Sequence, residues 1–138
     1  MTDRSTPSGK NLILVADDEN IILRMATTIL SNAGFRAIVV TDGIEGVRTF
    51  RELRDQICLV LTDVIMPGGG GLEMAQAILE VDPNAKIIFM SGYSDAALEV
   101  QARTRFPFIR KPFLSTDLLS KIEETLRGPD DRSATAGS

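Results

Sequence analysis

Apolar residues fall along this chain in two alternating rhythms. Mostly apolar runs occupy residues 11–16, 35–40, 57–62, 86–90 and 106–110, each of strand length, and the first suits a strand buried on both faces. Between them the apolar positions recur every three or four residues, the spacing that lines one face of a helix. The first such stretch carries Ile22, Met25, Ala26, Ile29, Leu30 and Ala33 and stops at Gly34. The second opens at Asp42 with Glu45 three positions on, a capping-box spacing, and presents Ile44, Val47, Phe50 and Leu53. The third shows Leu72, Ala75, Ile78 and Leu79 and closes at Asp82 and Pro83. A fourth, over roughly residues 95–103, lacks a clean stripe. In the last, Ser115 is the expected cap and Leu118, Leu119, Ile122 and Leu126 the buried face. Leu114 with Leu119 has the spacing of a hydrophobic staple, and Gly128 with Pro129 is the expected stop.

Strand then helix, five times over with short connections, predicts a parallel sheet covered by helices on both faces. The leading arrangement is a flavodoxin-like, doubly wound (βα)5 domain with strand order 2-1-3-4-5 and a switch point between strands one and three. Residues 11–127 are expected to form that domain, with residues 1–10 a flexible lead and residues 128–138 a flexible tail. Strand five would lie at an edge, where Pro107 does least harm.

Composition narrows the chemistry. With 138 residues, 43% of them hydrophobic and 25% charged, the chain suits one soluble domain with a substantial core. A net charge of −4 and no basic cluster argue against a nucleic-acid surface. No apolar run approaches the ~20 residues that span a bilayer, and the N-terminus has no signal-peptide segment, so a cytoplasmic chain without a membrane partner is expected. Cys58, the one cysteine, lies inside an apolar run and reads as core. There is no histidine, which excludes histidine-based catalysis within this chain and leaves zinc without its usual ligands.

What remains is oxygen chemistry at strand exits. Asp17 and Asp18 follow the first run, Asp63 the third, Ser91 the fourth and Lys111 the fifth, and the expected fold gathers all of these at one edge of the sheet. Each has a plainer reading: Asp17 and Asp18 as helix caps, Asp63 and Ser91 as turn formers, Lys111 as a solvated lysine. Together they make a different set. Crowded carboxylates call for a counter-charge, and a hard divalent cation such as Mg2+ takes oxygen ligands. Metal, ammonium and hydroxyl are the groups that stabilise a phosphoryl group in transfer, with Asp63 as nucleophile and an aspartyl phosphate as product.

The segments ADDE (16–19), TDVIMPGGGG (62–71), MSGYSD (90–95) and RKPF (110–113) resemble the receiver domain of two-component response regulators over roughly residues 11–127. The resemblance implies that Asp63 accepts a phosphoryl group from a histidine kinase or histidine phosphotransfer protein. It implies Mg2+ held by Asp17, Asp18, Asp63 and the backbone carbonyl of Ile65. Lys111 matches the phosphate-binding lysine, in a cis bond to Pro112, Ser91 the switching hydroxyl and Phe108 the switching aromatic. The face made by the fourth helix, fifth strand and fifth helix would meet an unknown protein target. Ile65 and Tyr93 flank the expected path of an attacking water and are read as slowing dephosphorylation.

Two features depart from the family's pattern: the four-glycine run after Pro67, and a segment over residues 103–108 that carries Pro107 instead of a small-residue turn. No output domain is expected after residue 127, so a stand-alone switch, a phosphorelay intermediate or a phosphate sink all fit, as does a receiver-like interaction module that is never phosphorylated. A flavin-binding protein is disfavoured by the acidic first loop. A haloacid dehalogenase-like phosphatase is disfavoured by Ile65, where that family needs a second acid.

Overall fold

The computed structural model describes residues 10–66, 70–92 and 106–136, the last of these from 128 on as backbone. Five parallel strands form one sheet in the order β2-β1-β3-β4-β5. They are β1 (Leu12–Ala16), β2 (Arg36–Val40), β3 (Ile57–Asp63), β4 (Ile87–Ser91) and β5 (Phe108–Arg110). The described helices are α1 (Asn20–Asn32), α2 (Gly43–Leu53), α3 (Gly70–Val81) and α4 (Ser115–Ala136). The expected flavodoxin-like fold and strand order are present. The helix expected over roughly residues 95–103, and Tyr93, lie outside the described residues.

The period of two in a strand explains why both alternating sets of β1 are apolar. In β1, Leu12, Leu14 and Ala16 join Phe50, Met74, Ala75 and Ile78 on the α2–α3 side, while Ile13 and Val15 join Leu23, Ala26, Leu30, Leu118 and Ile122 on the α1–α4 side. A side chain as large as Ile13 or Leu14, wholly removed from water, contributes roughly 1.5–3 kcal/mol. Cys58 falls where the β1–β3 register slips between Leu12 and Ile13, and burial pushes its thiol up to about 11. It packs against the α1–α4 core as an unreactive filler.

Asp42 caps α2 by accepting from the Glu45 N–H at 2.7 Å, as the spacing predicted. The α2 face differs from the expected one, because Ile44 is 65% exposed while Gly43, Gly46 and Phe50 are buried. Gly46 is where α2 meets α3: a Cβ there would strike the Met74 thioether, so the contact is made by a residue with no apolar signature. Gly34 ends α1 in the left-handed region at φ 95°, as expected.

At α4 three expectations fail. Leu114 is 68% exposed, so no staple to Leu119 forms. Its carbonyl instead accepts the first helical bond, from the Leu118 N–H at 3.0 Å, which makes Leu114 and not Ser115 the flanking residue. The helix also runs through Gly128 and Pro129 to Ala136. Proline inside a helix removes one N–H and crowds one carbonyl, which disfavours helix by about 3 kcal/mol without forbidding it.

At the sheet's edge, β5 is three residues long rather than five. Pro107 precedes it and takes part only as an acceptor, its carbonyl receiving the Phe89 N–H at 2.9 Å. Among the described residues no helix is long and apolar enough to cross a membrane.

Candidate functional site

Parallel strands all present their carboxyl ends at one edge, and four of the five deliver a polar side chain there. Beyond β1, the Asp17 N–H still bonds the Val40 carbonyl at 3.2 Å, which carries the chain one residue past the strand before it turns into α1. Asp17 is 0% exposed. Its Oδ1 accepts the Glu19 N–H at 2.9 Å, so the plainer reading of Asp17 as a cap holds only in part: the flanking residue of α1 is Glu19, whose own side chain caps nothing.

Asp63 is the last residue of β3, paired with Met90, and is not a turn residue. The chain leaves it along two backbone contacts. The Ile65 N–H approaches Asp63 Oδ1 at 3.4 Å, a weak bond, and the Gly71 N–H reaches the Val64 carbonyl at 2.8 Å. This second bond brings the start of α3 against the strand end so closely that a Cβ on Gly71 would collide with the Asp63 carbonyl. Gly70 beside it takes φ 75°, the left-handed conformation that favours glycine. Two of the four glycines therefore have structural reasons; Gly68 and Gly69, with Pro67, lie outside the described residues.

Ser91 closes β4 and is buried. Its carbonyl accepts the Lys111 N–H at 2.8 Å, which fixes the root of the lysine beside the β4 end, and the Lys111–Pro112 bond is cis as expected. The ammonium then reaches across the site. Lys111 Nζ lies 3.0 Å from Asp17 Oδ2, 3.1 Å from Glu19 Oε1 and 3.2 Å from Asp63 Oδ2. This is no solvated surface lysine. Glu19 enters the site as the third of three consecutive acids at a strand exit, a signal present in ADDE (16–19).

Carboxylate oxygens of Asp17, Asp18 and Asp63 lie within 4.8 Å of one another. Burial, together with the charge of Asp63, raises the Asp17 carboxyl above its ordinary value of 3.8, against the opposing pull of the Glu19 N–H and of Lys111. For Lys111 burial favours the neutral amine, but the bonds to Asp17 and Glu19 and the charges of Asp63 and Asp17 outweigh it and hold the ammonium protonated well above its usual range. Among the described residues the Lys111 ammonium is bonded to three acids, with Asp18 close to two of them. Hard oxygen donors in this arrangement fit a small divalent cation such as Mg2+.

Phe108 sits half-buried in β5 with its ring 5.6 Å from Phe89, and Phe106 meets the same ring edge-on at 5.6 Å. Ile65 is 52% exposed next to Asp63, in the loop between β3 and α3. The structure thus gathers Asp17, Asp18, Asp63, Ser91 and Lys111 at one end of the sheet, with Ile65 at its rim and Phe108 behind it.

Comparison with known proteins places these features in a wider set. The family model described as response regulator receiver domain matches residues 13–123. The chain is 34% identical over 117 residues to the response regulator receiver protein CpdR of Brucella abortus, covering 83% of this chain and 95% of CpdR. It is 28% identical over 125 residues to the sensor kinase CckA of the same organism, of which it spans only 13%. It spans about half of the DNA-binding response regulator MtrA of Mycobacterium tuberculosis H37Rv, at 32% identity. Among solved structures, a response regulator receiver domain protein from Clostridium thermocellum superposes with a TM-score of 0.76 at 30% identity, covering 84% of this chain and 94% of that one.

Proposed function

The chain belongs to the response regulator receiver family, and from that premise we propose that it is a phosphorylation switch in which Asp63 accepts a phosphoryl group from a partner's phosphohistidine. The observation that carries this reading is the Lys111 ammonium bonded to both Asp17 and Asp63, which joins the acid pair, the acceptor and a phosphate-binding cation in one site. The partner is a histidine kinase or a histidine phosphotransfer protein. This chain has no histidine of its own to serve as donor.

In the transfer, an Asp63 carboxylate oxygen bonds to phosphorus as the P–N bond of the phosphohistidine breaks. The electron pair returns to the imidazole nitrogen, which takes up a proton from solvent. Lys111 exchanges its bond to Asp63 Oδ2 for one to a phosphoryl oxygen and so neutralises charge that the carboxylate alone could not. Asp17, Asp18, Asp63 and the Ile65 carbonyl would hold Mg2+, which supplies further positive charge to the phosphoryl oxygens when bound. The Ser91 hydroxyl is drawn to the phosphoryl group, and the Phe108 ring follows it inward. The ring's packing on Phe89 then changes, which biases the face made by β5 and α4 toward a target. Exposed Ile65 covers the approach of water to the acyl phosphate and, with Tyr93, prolongs the phosphorylated state.

Incubation of the protein with a small acyl phosphate tests the reading. Intact mass should show one added phosphoryl group in the presence of Mg2+ and almost none in a chelator. A chain that never gains this mass is an interaction module and not a switch.

Mg2+ should also stabilise the fold, by about 2.7 kcal/mol at a concentration a hundred times its Kd. The sign with pH follows from Asp17. An acid whose folded pKa is raised favours the fold most when protonated, and that contribution is lost as pH rises through the folded value. Ionised Asp17 is then what the cation relieves. The rise in Tm with Mg2+ should be full at neutral pH and should fade on acidification, beginning above the range in which an ordinary aspartate titrates. A Tm gain that grows as pH falls contradicts this assignment of Asp17.

A further inference from the structure

An ammonium has three N–H donors and no acceptor. Lys111 spends all three on carboxylates, at 3.0 Å to Asp17 Oδ2, 3.1 Å to Glu19 Oε1 and 3.2 Å to Asp63 Oδ2. Asp17 and Asp63 belong to the cation site proposed above; Glu19 does not. Asp17, fully buried, has both oxygens engaged, Oδ1 with the Glu19 N–H at 2.9 Å and Oδ2 with Lys111.

A divalent cation on Asp17 and an ammonium 3.0 Å from the same carboxylate repel one another. One of them has to give ground. The root of Lys111 is held by the bond of its N–H to the Ser91 carbonyl, so it is the flexible end that moves. Asp63, which the ammonium already holds at 3.2 Å, is another carboxylate of the cation site. Glu19 offers an anion outside that site, with a side chain 57% exposed and free to follow the ammonium.

We infer that Glu19 is a positioning residue that takes up the Lys111 ammonium as a divalent cation enters at Asp17, and so raises the site's affinity for that cation. The inference rests on reading Asp17, Asp18 and Asp63 as the cation site. Glu19 touches neither the cation nor the phosphoryl group; it acts through Lys111. Its N–H orients Asp17 while its carboxylate anchors the lysine, so one residue at the start of α1 governs how the two charges share the buried acid.

A double-mutant cycle read by Mg2+ titration calorimetry on the full chain tests this, and it needs no phosphorylation. Glu19→Ala should weaken Mg2+ binding roughly three- to fivefold in the wild-type background, the scale of a part-exposed ion pair. In a Lys111→Ala background, where there is no ammonium to relocate, it should change nothing. Glu19→Gln, which keeps an oxygen acceptor and alters the surface least, should show the same pattern with a smaller loss, and serves if the alanine variant folds poorly. An equal loss in both backgrounds would overturn the inference by making Glu19 a simple charge near the metal, and so would an unchanged affinity in the wild-type background. A wild type that binds no Mg2+ removes the cation site itself, a result distinct from failure at Glu19 alone.

Discussion

Lys111→Ala should slow phosphorylation by a small acyl phosphate about a hundredfold, the usual scale for removing one preorganised charge from a transferring group. The effect is large because Lys111 is the one described cation bonded to Asp63, at 3.2 Å, and because its side chain is only 11% exposed, where water cannot replace it. The same substitution should tighten Mg2+ binding, since it removes a positive charge 3.0 Å from Asp17. It should also lower the stability of the metal-free protein at neutral pH, because buried Asp17 loses its counter-charge, and acidification should restore part of that loss by protonating the carboxyl. Single-turnover rates at saturating Mg2+, beside urea denaturation at two pH values, separate these effects. A variant phosphorylated at the wild-type rate would remove Lys111 from the transfer.

Gly71→Ala should cost about 2–3 kcal/mol of stability, at the upper end of the usual range for overpacking. The added Cβ would fall on the carbonyl of Asp63 and the Cα of Val64, which are backbone in the central strand β3 and cannot swing aside as a side chain can. Either α3 withdraws from the strand end or the Asp63 backbone shifts, so phosphorylation should fall together with stability. Gly92→Ala is the control, because no described residue lies within 4 Å of a Cβ at that position. Urea denaturation should show a lowered midpoint with an unchanged slope for Gly71→Ala and almost no change for Gly92→Ala. Equal midpoints for the two variants would contradict the close approach of α3 to β3.

These two residues mark how far the sequence could be read. Lys111 was legible because it follows an apolar run, and strand exits converge in a parallel sheet. The sheet order was legible because five uninterrupted strand-helix units leave few right-handed windings open. The structural role of Gly71 was not, since a missing side chain gives no periodic signal and its cause lies in the tertiary approach of α3 to Asp63. Gly46 escaped for the same reason, and Ile44 was assigned to the core in its place although the helix turns it to solvent. Glu19 stood in the acidic run, yet its bond to Lys111 spans 92 positions of sequence and appears only once β1 and β5 are set in one sheet. Gly128 and Pro129 misled in the other direction, as their preference against helix is finite and the backbone stays helical to Ala136.

The proposed switch carries its phosphoryl group on the Asp63 carboxylate. Borohydride reduction of the phosphorylated chain tests it most directly, since an acyl phosphate is reduced to an alcohol while a phosphate ester on a hydroxyl is left intact. Peptide mass spectrometry should then find homoserine at position 63 of the wild type and no reduced residue in Asp63→Asn. A phosphate that survives borohydride, or a reduced residue at Asp17 or Asp18 in place of Asp63, would contradict the account.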